Sequence, residues 1–261
     1  MIRRIARAVA LTAAFATIVT AAQAASIITL WDFQDYYQDP VTLDWIVTPR
    51  YTPSIGSGSW EVQGTAVFDP DQQDYRDPAN PLETTSSSDP IHLINEFMGY
   101  GLDVDNAPPQ GTGNKTAGVR FNVSTVGYEN IVVSFDIRHK YRSPRHARVQ
   151  YTVDGVNWVD SLLFEANNPF EADYWYNGRT VDLSGVPGVA DNPLFGFRVV
   201  AEFGPSGLYE ASKTGATFRQ RDLFRFDMVQ VSGTVIPEPA SLLTLGLGAA
   251  GLIGSIRLKR R

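Results

Sequence analysis

Along the middle of this chain, apolar and polar side chains alternate one by one. Ile131, Val133, Phe135 and Ile137 alternate with Val132, Ser134, Asp136 and Arg138, the period of two by which a strand turns one face to a core. Val149, Tyr151 and Val153 repeat the pattern against Arg148, Gln150 and Thr152. Asp154-Gly155 then supplies a tight turn before Trp158. Phe195, Phe197, Val199 and Ala201 form a third such face. Further on, Phe224 and Phe226 are in phase with each other, but Val229 and Val231 fall out of phase by one residue, so a bulge at Asp227-Met228 is needed to return both pairs to the core. The segments TLWDF and GSWEVQGTAVF fit opening strands of the same body. No long helical period interrupts them, and Gly, Pro, Asn and Asp clusters separate the runs. The pattern predicts an all-β fold, a β-sandwich of jelly-roll type.

The two ends break the alternation with unbroken apolar runs. Arg3, Arg4 and Arg7 precede an Ala-rich run from Ala8 to Ala22, and Ala22-Gln23-Ala24 fits the small-x-small pattern read by signal peptidase. Residues 1–24 are therefore expected to be a signal peptide, with the mature chain starting at Ala25. At the other end, Pro237-Glu238-Pro239 stands before 17 uncharged residues, Ala240 to Ile256, and then Arg257, Lys259, Arg260 and Arg261. As a helix, the uncharged run spans roughly 25 Å, enough for a thin bilayer, and the basic end stays cytoplasmic while the body lies outside. The prolines keep the junction extended and open to a protease. A plain C-terminal anchor is the alternative reading of the same hydropathy.

The order signal peptide, Pro-Glu-Pro, short hydrophobic helix and basic tail resembles the PEP-CTERM proteins of Gram-negative bacteria. The resemblance implies a sorting tail over 236–261, with Pro237, Glu238 and Pro239 as its motif, an exosortase-type membrane protease as partner, and transient anchoring in the inner membrane before release to the cell surface or medium. Residues 25–235 form the expected β-sandwich domain. Its stretches VVSFDIRHKYRSPRHARVQYTVDGVNWV, TVDLSGVPGVADNPLFGFRVV and FRFDMVQVSG resemble the jelly-roll repertoire of secreted PEP-CTERM proteins and, more loosely, carbohydrate-binding modules.

Charge changes meaning once the ends are set aside. Seven of the 22 Lys and Arg lie in the terminal segments and Glu238 is the one acid among them, so residues 25–236 carry 15 basic against 27 acidic residues, about −12. An acidic body argues against wholesale nucleic-acid binding. The chain has no Cys, so neither a disulfide framework nor thiol catalysis is available, and about 210 residues must rest on one sizeable core. Residues 69–90, rich in Pro, Asp and Ser, read as a long surface loop.

Candidate chemistry is sparse. His92, His139 and His146 are the only histidines, none in a His-Glu-x-x-His spacing, and no Gly-x-Ser-x-Gly elbow occurs. Asp103 and Asp105 are loop acids or, across a cleft, a glycosidase pair. Asp69, Asp71 and Asp74 offer closely spaced oxygens suited to calcium, but without the glycine and distal glutamate of an EF-hand. Tyr174, Trp175 and Tyr176 put an aromatic on each face of a strand, so the outward one either stacks on a sugar or packs under a loop. Arg142, Arg145 and Arg148, with Arg138, His139, Lys140 and His146, crowd one hairpin, which either grips an acidic polysaccharide or is a solvated tip balanced by acids. Two function classes follow: a non-enzymatic exported protein associated with the extracellular polysaccharide matrix, without a required cofactor, or a secreted polysaccharide-active enzyme on a sandwich scaffold.

Overall fold

In a computed structural model, the described residues are 24–70, 86–90 and 99–237. Asp71, Asp74, His92, Glu238, Pro239, the N-terminal apolar run and the segment from Ala240 to Ile256 lie outside them. Thirteen strands and no helix are present among the described residues. They are β1 (Ser26–Trp31), β2 (Gln34–Gln38), β3 (Trp45–Pro49), β4 (Ser59–Gln63), β5 (Val67–Asp69), β6 (Leu102–Asp105), β7 (Gly118–Asn122), β8 (Tyr128–His139), β9 (His146–Thr152), β10 (Val159–Glu165), β11 (Tyr174–Asp182), β12 (Gly196–Glu202) and β13 (Asp222–Val235). One sheet runs β11-β8-β13-β6-β5, with β1 also on β13; the other runs β10-β9-β12-β7-β4. β2 and β3 form a separate hairpin. Every pairing is antiparallel.

The alternating residues meet between the two sheets. Phe135, Ile137, Phe224 and Phe226 from the first sheet and Phe121, Phe197 and Val199 from the second are all fully buried. Phe121 stacks on Phe197 at 5.0 Å and meets the edges of Phe226 and Trp31 at 6.2 and 5.3 Å. Rings this close from opposite sheets are the interdigitation of a sandwich. Each contributes roughly 1.5–3 kcal/mol by leaving water. The phase break in β13 is resolved as expected: register shifts between Asp227 and Gln230, Met228 adopts a positive φ of 47°, and Val229 and Val231 return to the core.

The outer faces are less exposed than simple alternation predicts. Val153 lies beyond β9 and is exposed, while its polar neighbour Thr152 is buried. Asp103, Asp136, Arg225 and Asp227 point away from the core of the first sheet, yet all are buried. Part of the expected surface loop accounts for this. Ser88 donates its backbone N–H and hydroxyl to Asp136 at 2.5 and 2.6 Å, and the Ser87 hydroxyl donates to Asp227, so the end of that loop is pulled down by carboxylates that need donors. The β2–β3 hairpin has no counterpart in the sequence reading.

The connections give the sandwich two poles. β1 begins at Ser26 opposite Gly233, and β13 ends at Val235 opposite Tyr128. The first strand of the described body therefore begins, and the last one ends, at one pole, capped by residues 123–127 and 183–195. The opposite pole carries residues 140–145 between β8 and β9 and residues 203–221 between β12 and β13.

Candidate functional site: a cleft at the pole opposite the tail

The long connection 203–221 folds back on the tight connection 140–145, because backbone groups on both sides pair. Arg145 N–H donates to Glu210 C=O at 2.8 Å, Ser212 N–H to Ser143 C=O at 2.9 Å and Lys213 N–H to Tyr141 C=O at 3.0 Å. Between them lies a cleft of about 450 Å³, whose lining includes Gln110, Arg145, Tyr209, Lys213, Thr214 and Phe218. Phe218 lies half-buried at one side of it, backed at 5.1 Å by Tyr209, which is only 2% exposed and belongs to the core. Gln110 locks Tyr209 by accepting from its N–H at 2.7 Å and donating to its C=O at 2.8 Å. The Tyr209 hydroxyl donates to Gly113 C=O, and burial pushes its pKa up, so it stays neutral.

Of the basic hairpin, Arg145 reaches this cleft. Its Nε donates to Ala211 C=O at 3.1 Å and one Nη to the Thr214 hydroxyl at 3.0 Å. The other Nη stands 3.6 and 3.9 Å from the carboxylates of Glu165 and Glu210, beyond hydrogen-bond length and therefore able to turn to a ligand oxygen. Lys213 adds a second cation, 3.6 Å from Glu171. Arg142 donates to Thr217 C=O at 2.8 Å, which anchors the cleft's far wall from behind. Arg148 lies apart, forked onto both carboxylate oxygens of Glu202, which holds its pKa above the ordinary value. Arg138 and Lys140 meet Asp173 and the acids of β6. The charge crowded in sequence is thus dispersed in space.

Tyr174, Trp175 and Tyr176 are also separated by the pleat. Trp175 shares a cross-strand row with Arg138, and hence the outer face, but is only 4% exposed. Tyr174 and Tyr176 face the other way, 5.2 Å apart, and the Tyr176 hydroxyl accepts from Asn167 N–H and donates to Asn168, both at 2.8 Å. Asp69 sits opposite Asp103 in the β5–β6 register. Asp103 and Asp105 do not span the cleft: Lys140 bridges them at 3.4 and 2.5 Å, and Arg225 meets Asp103 at 2.9 Å. Burial raises the Asp105 pKa, with Lys140 opposing. Among the described residues, no group of three or more acids or histidines is placed to hold a metal.

Sequence reading missed Tyr209, Lys213, Thr214 and Phe218. They lie some sixty residues beyond the hairpin, in a segment without strand period, and only the chain's return brings them beside Arg145. It missed also Trp158, over which Arg120 and Arg198 stack at 5.1 and 4.4 Å; two arginines near one tryptophan on adjacent strands leave no local signature.

Comparison with curated proteins returns no match to this chain. The other end of the molecule does have a match. β13 ends at Val235, Ile236 N–H donates to Gly127 C=O at 2.9 Å, and Pro237 emerges exposed; from that point, residues 235–261 match the PEP-CTERM protein-sorting motif, so the chain carries a PEP-CTERM sorting tail directly on the last strand of its β-sheet body.

Proposed function

We infer that the protein is exported, processed by an exosortase and sorted to the cell envelope or surface, as the sorting motif over residues 235–261 implies. We propose that the body is a non-catalytic binding module of the extracellular matrix, built on a jelly-roll type of sandwich, and that the cleft beside Arg145 takes an acidic polysaccharide segment. The observation that carries this reading is the pairing of a half-buried Phe218, backed by Tyr209, with two cations whose carboxylate partners sit beyond 3.5 Å. Aromatic surfaces accept sugar rings and guanidinium groups accept carboxylates. In this reading residues 1–24 serve as signal peptide and the uncharged run from Ala240 to Ile256 as temporary anchor, so that the route is export, anchoring, and cleavage near Pro237-Glu238-Pro239.

Two measurements test it. Arg145→Gln should weaken retention of the protein on an acidic polysaccharide about tenfold, the worth of one charge-assisted contact, whereas Arg148→Gln, remote from the cleft, should leave retention unchanged at a modest cost in stability. Equal retention of all three proteins removes the cleft from the proposal, and turnover of the polysaccharide makes the body an enzyme. In cells, Glu238→Ala should leave uncleaved protein in the membrane fraction, because it damages the motif without touching the apolar run. Recovery of an intact Arg261 from the unmutated mature protein would mean a permanent anchor.

A further inference from the structure

The pole from which the tail leaves differs from the rest of the surface. Its segments 24–28, 55–59, 122–130, 152–158, 182–195 and 231–237 contain no Lys or Arg of their own; Arg120 and Arg198 reach its rim from β7 and β12, stacked on Trp158, with Arg120 donating to Gly155 C=O at 3.1 Å. It presents instead Val126, Val156 and Leu194, which are 53, 75 and 58% exposed, together with Val153 and Val235. These are not loose tips. Gly127 N–H donates to Asp191 at 2.8 Å, the Thr125 hydroxyl donates to Val189 C=O at 2.6 Å, and Asn192 donates to Val153 C=O at 2.8 Å. With Ile236 N–H on Gly127 C=O, the exit of the tail and the aliphatic loops form one hydrogen-bonded cap.

Geometry then limits where this cap can be. From Pro237 to Ala240 are three residue steps, at most roughly 10 Å of extended chain. If the apolar run enters the bilayer at Ala240, as the proposed function holds and on which this inference rests, the cap is held within the depth of the headgroup layer. Exposed apolar groups partition about 5–10 Å into that layer. Ser26, at the start of β1 and opposite Gly233, lies at the same cap. The acids there, Glu129, Asp154, Asp182 and Asp191, favour a zwitterionic over an anionic headgroup.

We propose that this cap is a lipid-docking surface: before processing, Val126, Val156 and Leu194 rest in the headgroup region of a zwitterionic bilayer and stand the sandwich upright, with the Arg145 cleft pointing away from the membrane.

Because the chain has no cysteine, single labels are clean. Val156→Cys, Leu194→Cys and, at the opposite pole, the exposed Ser206→Cys are made in the chain from Ala25 to Arg261, labelled with a polarity-sensitive fluorophore, and reconstituted in phosphatidylcholine vesicles. The expected result is a roughly five-fold or larger fall in aqueous iodide quenching at 156 and 194 and none at 206, with a smaller fall at 156 and 194 when phosphatidylglycerol is mixed in. Co-flotation with vesicles but equal quenching at all three sites overturns the docking surface while leaving the anchored tail intact. Failure to co-float overturns the anchored tail, and the docking surface with it.

Discussion

His139 shows how a single side chain can set an acid limit on this protein. It sits at the end of β8, fully buried against Phe224 and Tyr176, with ring distances of 4.9 and 5.6 Å. Burial pushes its pKa down to about 3 from 6.5, so the ring is neutral and Nδ1–H donates to Pro144 C=O at 2.9 Å. Between those two values the unfolded chain holds a proton that the folded one refuses. Stability should therefore fall by roughly 1.4 kcal/mol for each pH unit below about 6.5. Urea titrations between pH 7 and pH 4, on the protein and on His139→Phe, measure this, and the substitution should flatten the acid slope. A second residue of the same weight is Arg225, buried on the outer face beside Asp103. Arg225→Ala should cost about 3–5 kcal/mol, because it leaves a fully buried carboxylate with Lys140 alone at 3.4 Å. Restoring the charge as Arg225→Lys should recover part of that loss.

At the scale of the element, β13 carries most of the architecture. It pairs with β8 along one side and with β6 and then β1 along the other. A central strand this long accumulates twist, and the bulge at Met228 divides it into two halves that both face the core. Inserting one further residue after Met228 should rotate the second half by one position, turning Val229 and Val231 outward and Gln230 and Ser232 inward, because the bulge already absorbs the single extra residue that separates Asp227 from Gln230. The expected outcome is loss of the cooperative unfolding transition, since the mispaired half costs more than the whole net stability of a domain. Met228→Gly, by contrast, relieves the positive φ of 47° and should raise stability by up to about 1 kcal/mol. Equal stability of the insertion variant and the parent protein would show that the register is held elsewhere.

For the whole molecule, the pairing of β1 with β13 ties the beginning of the body to its end. Trp31, at the end of β1, is fully buried against Phe121, so the sandwich is incomplete until the chain through Val235 has crossed the membrane. Removal of residues 26–31 should therefore abolish the folded body, as read by proteolysis of the exported protein. The absence of cysteine makes a complementary point: reductant should leave the thermal midpoint unchanged, because the core alone supplies the stability. A shift with reductant would contradict a fold held by packing. The two poles thus differ, one carrying the sorting tail and the other the cleft.

What the sequence by itself determined is whatever repeats locally. The all-β class, the inward faces of β8, β12 and β13, the bulge that reconciles Phe226 with Val229, and the sorting tail are each written in contiguous residues, where a period of two or a fixed motif order carries the signal. Tertiary structure alone decided the rest. The seven basic and histidine residues of one hairpin are adjacent in sequence, but the pleat and the turn send Arg148 to Glu202, Arg138 to Asp173 and only Arg145 to the cleft. The consecutive aromatics of β11 part in the same way, with Trp175 covered on the outer face and Tyr176 bonded to Asn168. Carboxylates that read as solvated became buried because a distant loop offered them hydroxyl and backbone donors. The β2–β3 hairpin escaped because Asp and Gln dilute its alternation. Local order follows from the geometry of one strand, while a site depends on which strands and loops meet, and burial of the core and satisfaction of its polar groups settle that only for the whole chain at once.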